Sequence, residues 1–267
     1  MIKLALAIVL LWVFMALFAF SLGEGANAVN LDQLLTPPHF GQWLGHDELG
    51  RPVWQRLMLG AQTSLLVAIG VVTLSAIIGI SLGLLSGYIG GLFDRVMVKV
   101  IDVFLAFPGL LLAIALAAVL GPGIENVIIA LAAVGWVGFA RLTRAQTLSV
   151  KSREHVMAAR ALGVGSPTIM RRHILPLVSA PLLVEATFGF AGAVIAEAGL
   201  SFLGLGVQPP AASLGNMIRE GTRYLLVAPH LVLIPGLALL LMVLAINILG
   251  DRLRDRFDVR ETARRKF

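Results

Sequence analysis

Cysteine is absent from the 267 residues, which excludes disulfides, thiolate nucleophiles and Cys-based metal sites. Charge is scarce: Asp, Glu, Lys and Arg make up 13% of the chain, against roughly 25% in soluble domains. The lysines are Lys3, Lys99, Lys151 and Lys266, none of them preceded by glycine. No G-x-x-x-x-G-K-[ST] loop is therefore present, and nucleotide is not held here by that device. No H-E-x-x-H metal signature and no catalytic constellation is read, and no low-complexity tract or internal repeat is visible.

What is present is long apolar sequence. Hydrophobic residues account for 58%, and mean hydropathy is +0.91. That composition does not fit inside one soluble core and predicts an all-α, polytopic membrane protein of one domain. The net charge of +6 and pI near 10.5 would suggest nucleic acid in a soluble chain. Here the basic residues belong to loops beside an anionic leaflet.

Six spans are predicted, at about 4–22, 65–87, 103–120, 124–140, 177–199 and 231–250. The first run is longer than the usual apolar core of a signal peptide, about 7–15 residues, which favours a retained helix. Ala26-Asn27-Ala28 leaves a cleavage site as the alternative. Residues 23–64 read as an external loop with a short amphipathic helix near Val53–Leu59. His46, Asp47 and Glu48 within it suggest a metal site only weakly, since neighbouring side chains diverge; a polar loop is the expectation. Gly79, Ser81, Gly83 and Ser86 suit close helix packing. Residues 88–102 read as an interfacial turn with Asp94, Arg95, Lys99 and Asp102 on one face, and Pro108 as a kink at the start of the third span. The fourth helix is expected to continue to Leu148, with Arg141 and Arg144 reaching for headgroups. Residues 208–229 read as an external loop.

Two acids fall within the fifth span, Glu185 and Glu197. A mid-bilayer carboxylate costs about 3 kcal/mol, so such groups face protein or water. Twelve positions separate them, about 120° around a helix, so they do not form one paired site. Each reads either as a lining of a substrate path or as a hydrogen-bonded structural acid.

The most polar long interval is Arg153–Pro176, REHVMAARALGVGSPTIMRRHILP. Its pattern is helix, break, helix. His155, Ala158, Ala159 and Leu162 recur at helical spacing on one small apolar face, and Arg153, Met157 and Arg160 lie on another. Gly163 and Gly165 are expected to stop the helix. Ser166-Pro167 is expected to restart it, with Ser166 as N-cap, and the second helix is expected to end before Pro176.

Alternate loops differ in basic charge. The side holding both termini, residues 88–102 and residues 141–176 carries 17 Lys and Arg; the other side carries 4, Arg51, Arg56, Arg219 and Arg223. The positive-inside rule puts both termini and the 141–176 loop in the cytoplasm.

The 153–176 interval resembles the EAA loop of ABC-importer permeases, reading Met157-Ala158-Ala159, Gly163 and Ile174-Leu175-Pro176, with Met157 where the family often has Glu. The run from Trp43 through Gly45-His46-Asp47-Glu48-Leu49-Gly50-Arg51 to Arg56, Gly60 and Ser64 is similar to the signature before the second helix in the dipeptide/oligopeptide/nickel permeases. Family members usually show Thr, Asp and Arg where this chain has His46, Pro52 and Gln62. Glu197-Ala198-Gly199-Leu200-Ser201-Phe202-Leu203-Gly204-Leu205-Gly206 resembles the same family's E-A-x-L-S-F-L-G-L-G block, and Gly250–Asp255 matches its ending.

The resemblance implies a type I ABC-importer permease fold and a transport subunit that is not an enzyme. It implies a homologous second permease, ATP-binding subunits that carry ATP and Mg, an extracytoplasmic solute-binding protein and membrane lipid as partners, with no cofactor on this chain and no nucleic acid. Coupling to the ATPase would fall to His155, Met157, Ala158, Ala159, Arg160, Leu162, Gly163, Ile174, Leu175 and Pro176. The cargo would be di- or oligopeptides, with nickel or a metal chelate as the alternative. An ion-coupled secondary transporter is the reading from another class, and few unpaired acids in the spans speak against it.

Overall fold

The computed structural model describes residues 1–40 and 42–257. Among them every regular element is a helix; the β contacts are isolated bridges, His39 with Gln42 and His46 with Pro52. The chain begins with α1 (Ile2–Phe18), which runs on as a 3₁₀ turn, Ala19–Ser21. A loop follows that is tied by backbone bonds: Asn30 N–H to the Leu49 carbonyl, His46 N–H to Thr36, and Val53 N–H to Gly45.

Next comes α2 (Val53–Ile89), 37 residues without a break. The short helix expected at 53–59 and the span expected from 65 are therefore one element. Pro52 sits just ahead of its start, no proline lies between Val53 and residue 65, and the single glycine, Gly60, costs too little to stop a helix.

Helix α3 (Gly91–Leu105) and helix α4 (Gly109–Leu120) meet at a bend of 87°. The expected third span from Val103 with a kink at Pro108 is instead two helices. Proline disfavours helical backbone in the residue before it and lacks the N–H that would continue the ladder. Among the described residues five helices are long and apolar enough to cross a membrane, six if the bent pair counts as one.

Helix α5 (Ile124–Val150) leads to the short α6 (Glu154–Ala161). One turn, α7 (Ser166–Thr168), a π-helical turn (Ile169–Ile174) and α8 (Leu175–Phe202) form a single 37-residue helix. The helix expected to end before Pro176 thus continues through it, because the wider π turn lies where the proline's missing N–H and ring would otherwise break an α ladder. After it come α9 (Leu214–Thr222) and α10 (His230–Phe257). The basic residues Arg260, Arg264, Arg265 and Lys266 of the tail lie outside the described residues.

The chain forms two compact units. The first comprises residues 1–70, 114–131 and 190–249. There Ser213 caps α9, its hydroxyl accepting from the Asn216 N–H at 3.2 Å, and Leu214 and Met217 bury the apolar face of that helix.

The second unit comprises residues 71–113, 132–189 and the chain from Gly250 on. Its spine is a stripe of small residues on α2 pressed against α5. A Cβ added at Gly79 would lie 2.4 Å from the Trp136 carbonyl, and one at Gly83 2.4 Å from that of Ala140. Gly87 extends the stripe against Thr147, and Gly135 of α5 returns the contact against Ser75. In lipid, where apolar side chains gain nothing by avoiding the solvent, such backbone approach supplies the van der Waals contact that holds helices together. The expected role of Gly79 and Gly83 is observed. Phe104 of α3 packs edge-on against Trp136, ring centres 5.5 Å apart.

Two charges depart from the expected arrangement. Asp94 turns inward while Arg95, Lys99 and Asp102 stay exposed. Arg144 pairs with Asp94 rather than reaching for headgroups, as a two-pronged contact of α5 with α3.

Candidate functional site

Helix α6 ends in a Schellman motif. Gly163 takes φ +81°, its N–H bonds to the Arg160 carbonyl at 3.1 Å, and the Val164 N–H reaches back to Ala159 at 3.1 Å. A left-handed residue at this position favours glycine. Gly165 has an ordinary extended backbone, φ −63°, and is the N-cap of the next helix. Ser166 and Pro167 are therefore its first two residues, and Ser166 is not the cap.

The underside of α6 is anchored. Val156 belongs to a buried cluster with Val150, Ile169, Ile174, Val178, Leu182 and Phe139, and Val164 packs against it. The expected apolar face consequently divides. Ala159 is 6% exposed and Ile174 fully buried, so these two hold the loop together and present nothing outward. His155, Met157, Ala158, Arg160, Leu162, Gly163 and Pro176 are exposed, and Leu175 is half-buried. Leu162 at 84% and Met157 at 53% exposure give this short helix a free apolar rim flanked by His155 and Arg160. Met157 occupies the position where the EAA pattern has an acid, so an apolar side chain is offered there.

The two acids of α8 have different surroundings. Glu197 is fully buried, with the Ser64 hydroxyl donating to Oε2 at 3.0 Å and that of Ser201 to Oε1 at 2.8 Å. This is a closed, satisfied site. Glu185 is half-buried and lines a cavity of about 570 Å³ with Leu142, Gln146, Val184, Phe188 and Arg254 among its walls. Its carboxylate lies over Gly138 of α5, where an added Cβ would come within 2.6 Å of Oε1. No group of metal ligands occurs among the described residues.

Sequence reasoning missed a buried ion network. Arg51 and Arg56 are 4% and 2% exposed. Arg51 Nε donates to Asp47 Oδ2 at 2.6 Å, Arg51 Nη2 reaches Glu48 at 3.4 Å, and Arg56 bridges Asp47 at 3.4 Å and Glu220 at 3.5 Å. The loop before α2 is thereby fastened to the start of α2 and to α9. Burial pushes the Glu48 carboxyl up, and burial, helped by His39 and opposed by Asp47, holds the His46 imidazole down. His46 is buried with Nδ1 2.6 Å from the Thr36 hydroxyl. The signal was the i, i+4 and i, i+3 placement of Asp47, Glu48 and Arg51; Glu220 is distant in sequence and carried none. Helix α9 was also missed, although Ser213 followed by Leu214, Met217 and Gly221 is a legible cap and apolar face. Gly79-Ile80-Ser81-Leu82-Gly83 has the letters of a nucleophile elbow, but it lies inside α2, and an elbow requires a strand-to-helix turn.

The family pattern described as "Binding-protein-dependent transport system inner membrane component" matches residues 79–262. The chain belongs to this family. It is 42% identical over 235 residues to the glutathione transport system permease protein GsiD of Pectobacterium atrosepticum, covering 88% of this chain and 78% of that one. It is 40% identical over 254 residues to the dipeptide transport system permease protein DppC of Alkalihalophilus pseudofirmus, covering 95% and 84%. The GsiD protein of Escherichia coli O6:K15:H31 is 43% identical over 252 residues, covering 94% and 83%. Among solved structures, a chain of the MetNI methionine ABC transporter in an inward-facing conformation superposes with a TM-score of 0.63 at 20% identity, covering 76% of this chain and 97% of that one; this likeness concerns the fold. As a binding-protein-dependent permease, the chain is a multi-pass inner-membrane transport component and not an enzyme. Such importers use ATP on separate ATP-binding subunits and receive solute from a substrate-binding protein.

Proposed function

We propose that this permease forms, with a homologous second permease, the path by which di- and oligopeptides, glutathione among them, enter the cytoplasm. The observation that carries the cargo is the pair of relatives named for dipeptide and for glutathione transport, each alike over most of both chains; both cargoes are peptides, which favours them over nickel or a metal chelate. The bias of basic residues supports a cytoplasmic side for both termini and the 141–176 loop, beside the ATP-binding subunits with their ATP and Mg.

On this reading α6 is the coupling element. Its exposed rim (His155, Met157, Ala158, Arg160 and Leu162) seats in the ATPase, and its buried side (Val156, Ala159) rests on the start of the long helix that holds Glu185. Closure of the ATPase pair shifts α6, and the shift passes through Ile169 and Ile174 to that helix. The complete importer, reconstituted in proteoliposomes with ATP inside and binding protein outside, is expected to accumulate alanyl-alanine or glutathione. Accumulation without ATP, driven by an ion gradient through this chain alone, would instead establish a secondary transporter.

A further inference from the structure

The cavity lined by Glu185 in the second unit brings opposite charges and apolar side chains together. Its volume of about 570 Å³ falls within the range of small-molecule sites, roughly 300–1,000 Å³. Leu142, Ala180, Pro181, Val184, Phe188 and Phe257 give its wall an apolar part, and three polar side chains line the rest: Glu185, Gln146 and Arg254. Glu185 stands in a membrane-crossing helix and makes no hydrogen bond or ion pair with any described residue. Intramembrane carboxylates are costly and are normally paired. Glu197 of the same helix obeys that rule, with two hydroxyl donors. Glu185 does not, and α5 keeps a notch for it, since any side chain at Gly138 would enter the space of its Oε1. Arg254, which follows the sixth span and is exposed, lines the cavity too and has no ion pair among the described residues.

We propose that Glu185 is a specificity-determining residue of the path: it receives the α-ammonium group of the peptide in transit, while Arg254 receives the carboxylate end and the apolar wall the side chains. This deepens the peptide reading and rests on it. A carboxylate and a guanidinium lining one cavity together with apolar side chains match a zwitterion with an uncharged middle, and they match an anionic lipid headgroup or a metal ion less well. The contact replaces one of the peptide's hydration partners with a charge-assisted hydrogen bond, so that crossing does not require a naked ammonium in a low-dielectric passage.

The test uses the whole importer complex in nanodiscs without its binding protein, so that the binding protein's own selectivity does not enter. Equilibrium binding is measured for alanyl-alanine, its C-terminal amide and N-acetyl-alanyl-alanine. In wild type the dipeptide is expected to bind at least about tenfold more tightly than the N-acetyl form. Glu185→Gln is expected to abolish that difference while leaving weak N-acetyl binding unchanged. Arg254→Gln is expected to weaken the free acid and spare the amide. Gly138→Ala, which retains the charge but displaces the carboxylate, is expected to give part of the Glu185→Gln effect, and Glu185→Asp to restore part of the binding. Equal binding of all three probes by wild type, or an equal loss for all three in Glu185→Gln, overturns the proposal. Uptake by the complete wild-type system separates the two ideas. Import of alanyl-alanine or glutathione with binding indifferent to Glu185 overturns this assignment alone; import of neither overturns the peptide reading and the assignment with it.

Discussion

Arg144 and Asp94 meet in parallel across α5 and α3, Nε 2.5 Å from Oδ1 and Nη2 2.7 Å from Oδ2, with the Ser86 hydroxyl also donating to Oδ1 at 2.5 Å. Both side chains are mostly shielded from solvent, so losing one leaves the other uncompensated. Arg144→Gln and Asp94→Asn are each expected to destabilise by about 1–3 kcal/mol. The double variant should cost less than the sum of the two. Thermal unfolding in detergent measures this cycle, and strictly additive losses would show that the pair contributes nothing as a pair.

The exposed and buried alanines of α6 should separate in their effects. Ala158→Asp is expected to leave folded yield intact and to reduce ATP-driven uptake at least about tenfold, by placing an unpaired carboxylate in the ATPase contact. Ala159→Asp should instead lower the yield of folded protein, because the added charge enters the shielded side of the helix. Gly163→Leu should fall between them, strained by about 1–2 kcal/mol at φ +81°. Size-exclusion profiles beside uptake rates distinguish the three; identical behaviour of Ala158→Asp and Ala159→Asp would contradict the division of this helix into two sides.

Gly83→Val should prevent α2 from closing on α5, since even one carbon there meets the Ala140 carbonyl at 2.4 Å. The expected result is loss of folded protein, with overpacking typically worth about 1–3 kcal/mol and more where backbone must move. Gly192→Ala, where an added Cβ meets nothing within 4 Å, is the matched control and should be tolerated. Survival of Gly83→Val at wild-type melting temperature would rule out tight backbone contact along this stripe.

Glu197→Ala should cost about 1–3 kcal/mol by leaving the Ser64 and Ser201 hydroxyls without their acceptor, whereas Glu197→Gln, which keeps one acceptor oxygen, should cost less and still transport. If Glu197→Gln abolished uptake at unchanged stability, the acid would belong to the path and not to the scaffold.

Burial lowers the His46 pKa below its usual value of about 6.5. A lowered folded-state value means that the unfolded chain takes up the proton first as pH falls. The contribution of His46 to stability is therefore complete above pH 6.5 and declines below it, toward its folded-state pKa. Melting temperature followed from pH 8 to pH 5 should show this decline, and His46→Asn should flatten it; an unchanged slope would exclude His46 as its source.

The helices, the close-packing glycines and the helix-break-helix at 153–176 were legible because each is local: apolar length, small-residue spacing, and a glycine followed by Ser-Pro. What failed to show was whatever depended on a distant partner. Arg56 reads as a loop charge until Glu220 is set beside it, and Arg144 reads as a headgroup seeker until Asp94 is seen opposite. Ala159 and Ile174 read as contact residues because periodicity says which residues share a side, not which side is covered. The α9 helix had a legible cap, outweighed by neighbouring prolines and charges that read as loop.

The π-helical turn at Ile169–Ile174 changes how the long helix is to be counted. A turn closed by i→i+5 bonds holds about one residue more than its α neighbours, and each α residue advances the wheel by about 100°. A helical wheel begun at Ser166 therefore arrives at Glu185 one step out of phase, and wheels for this segment should be restarted at Leu175. Deleting one residue from 169–174 would remove slack and leave Glu185 facing its cavity, whereas the same deletion between Leu175 and Val184 would rotate it away, so the tolerance of this helix to single deletions should change sharply at Leu175.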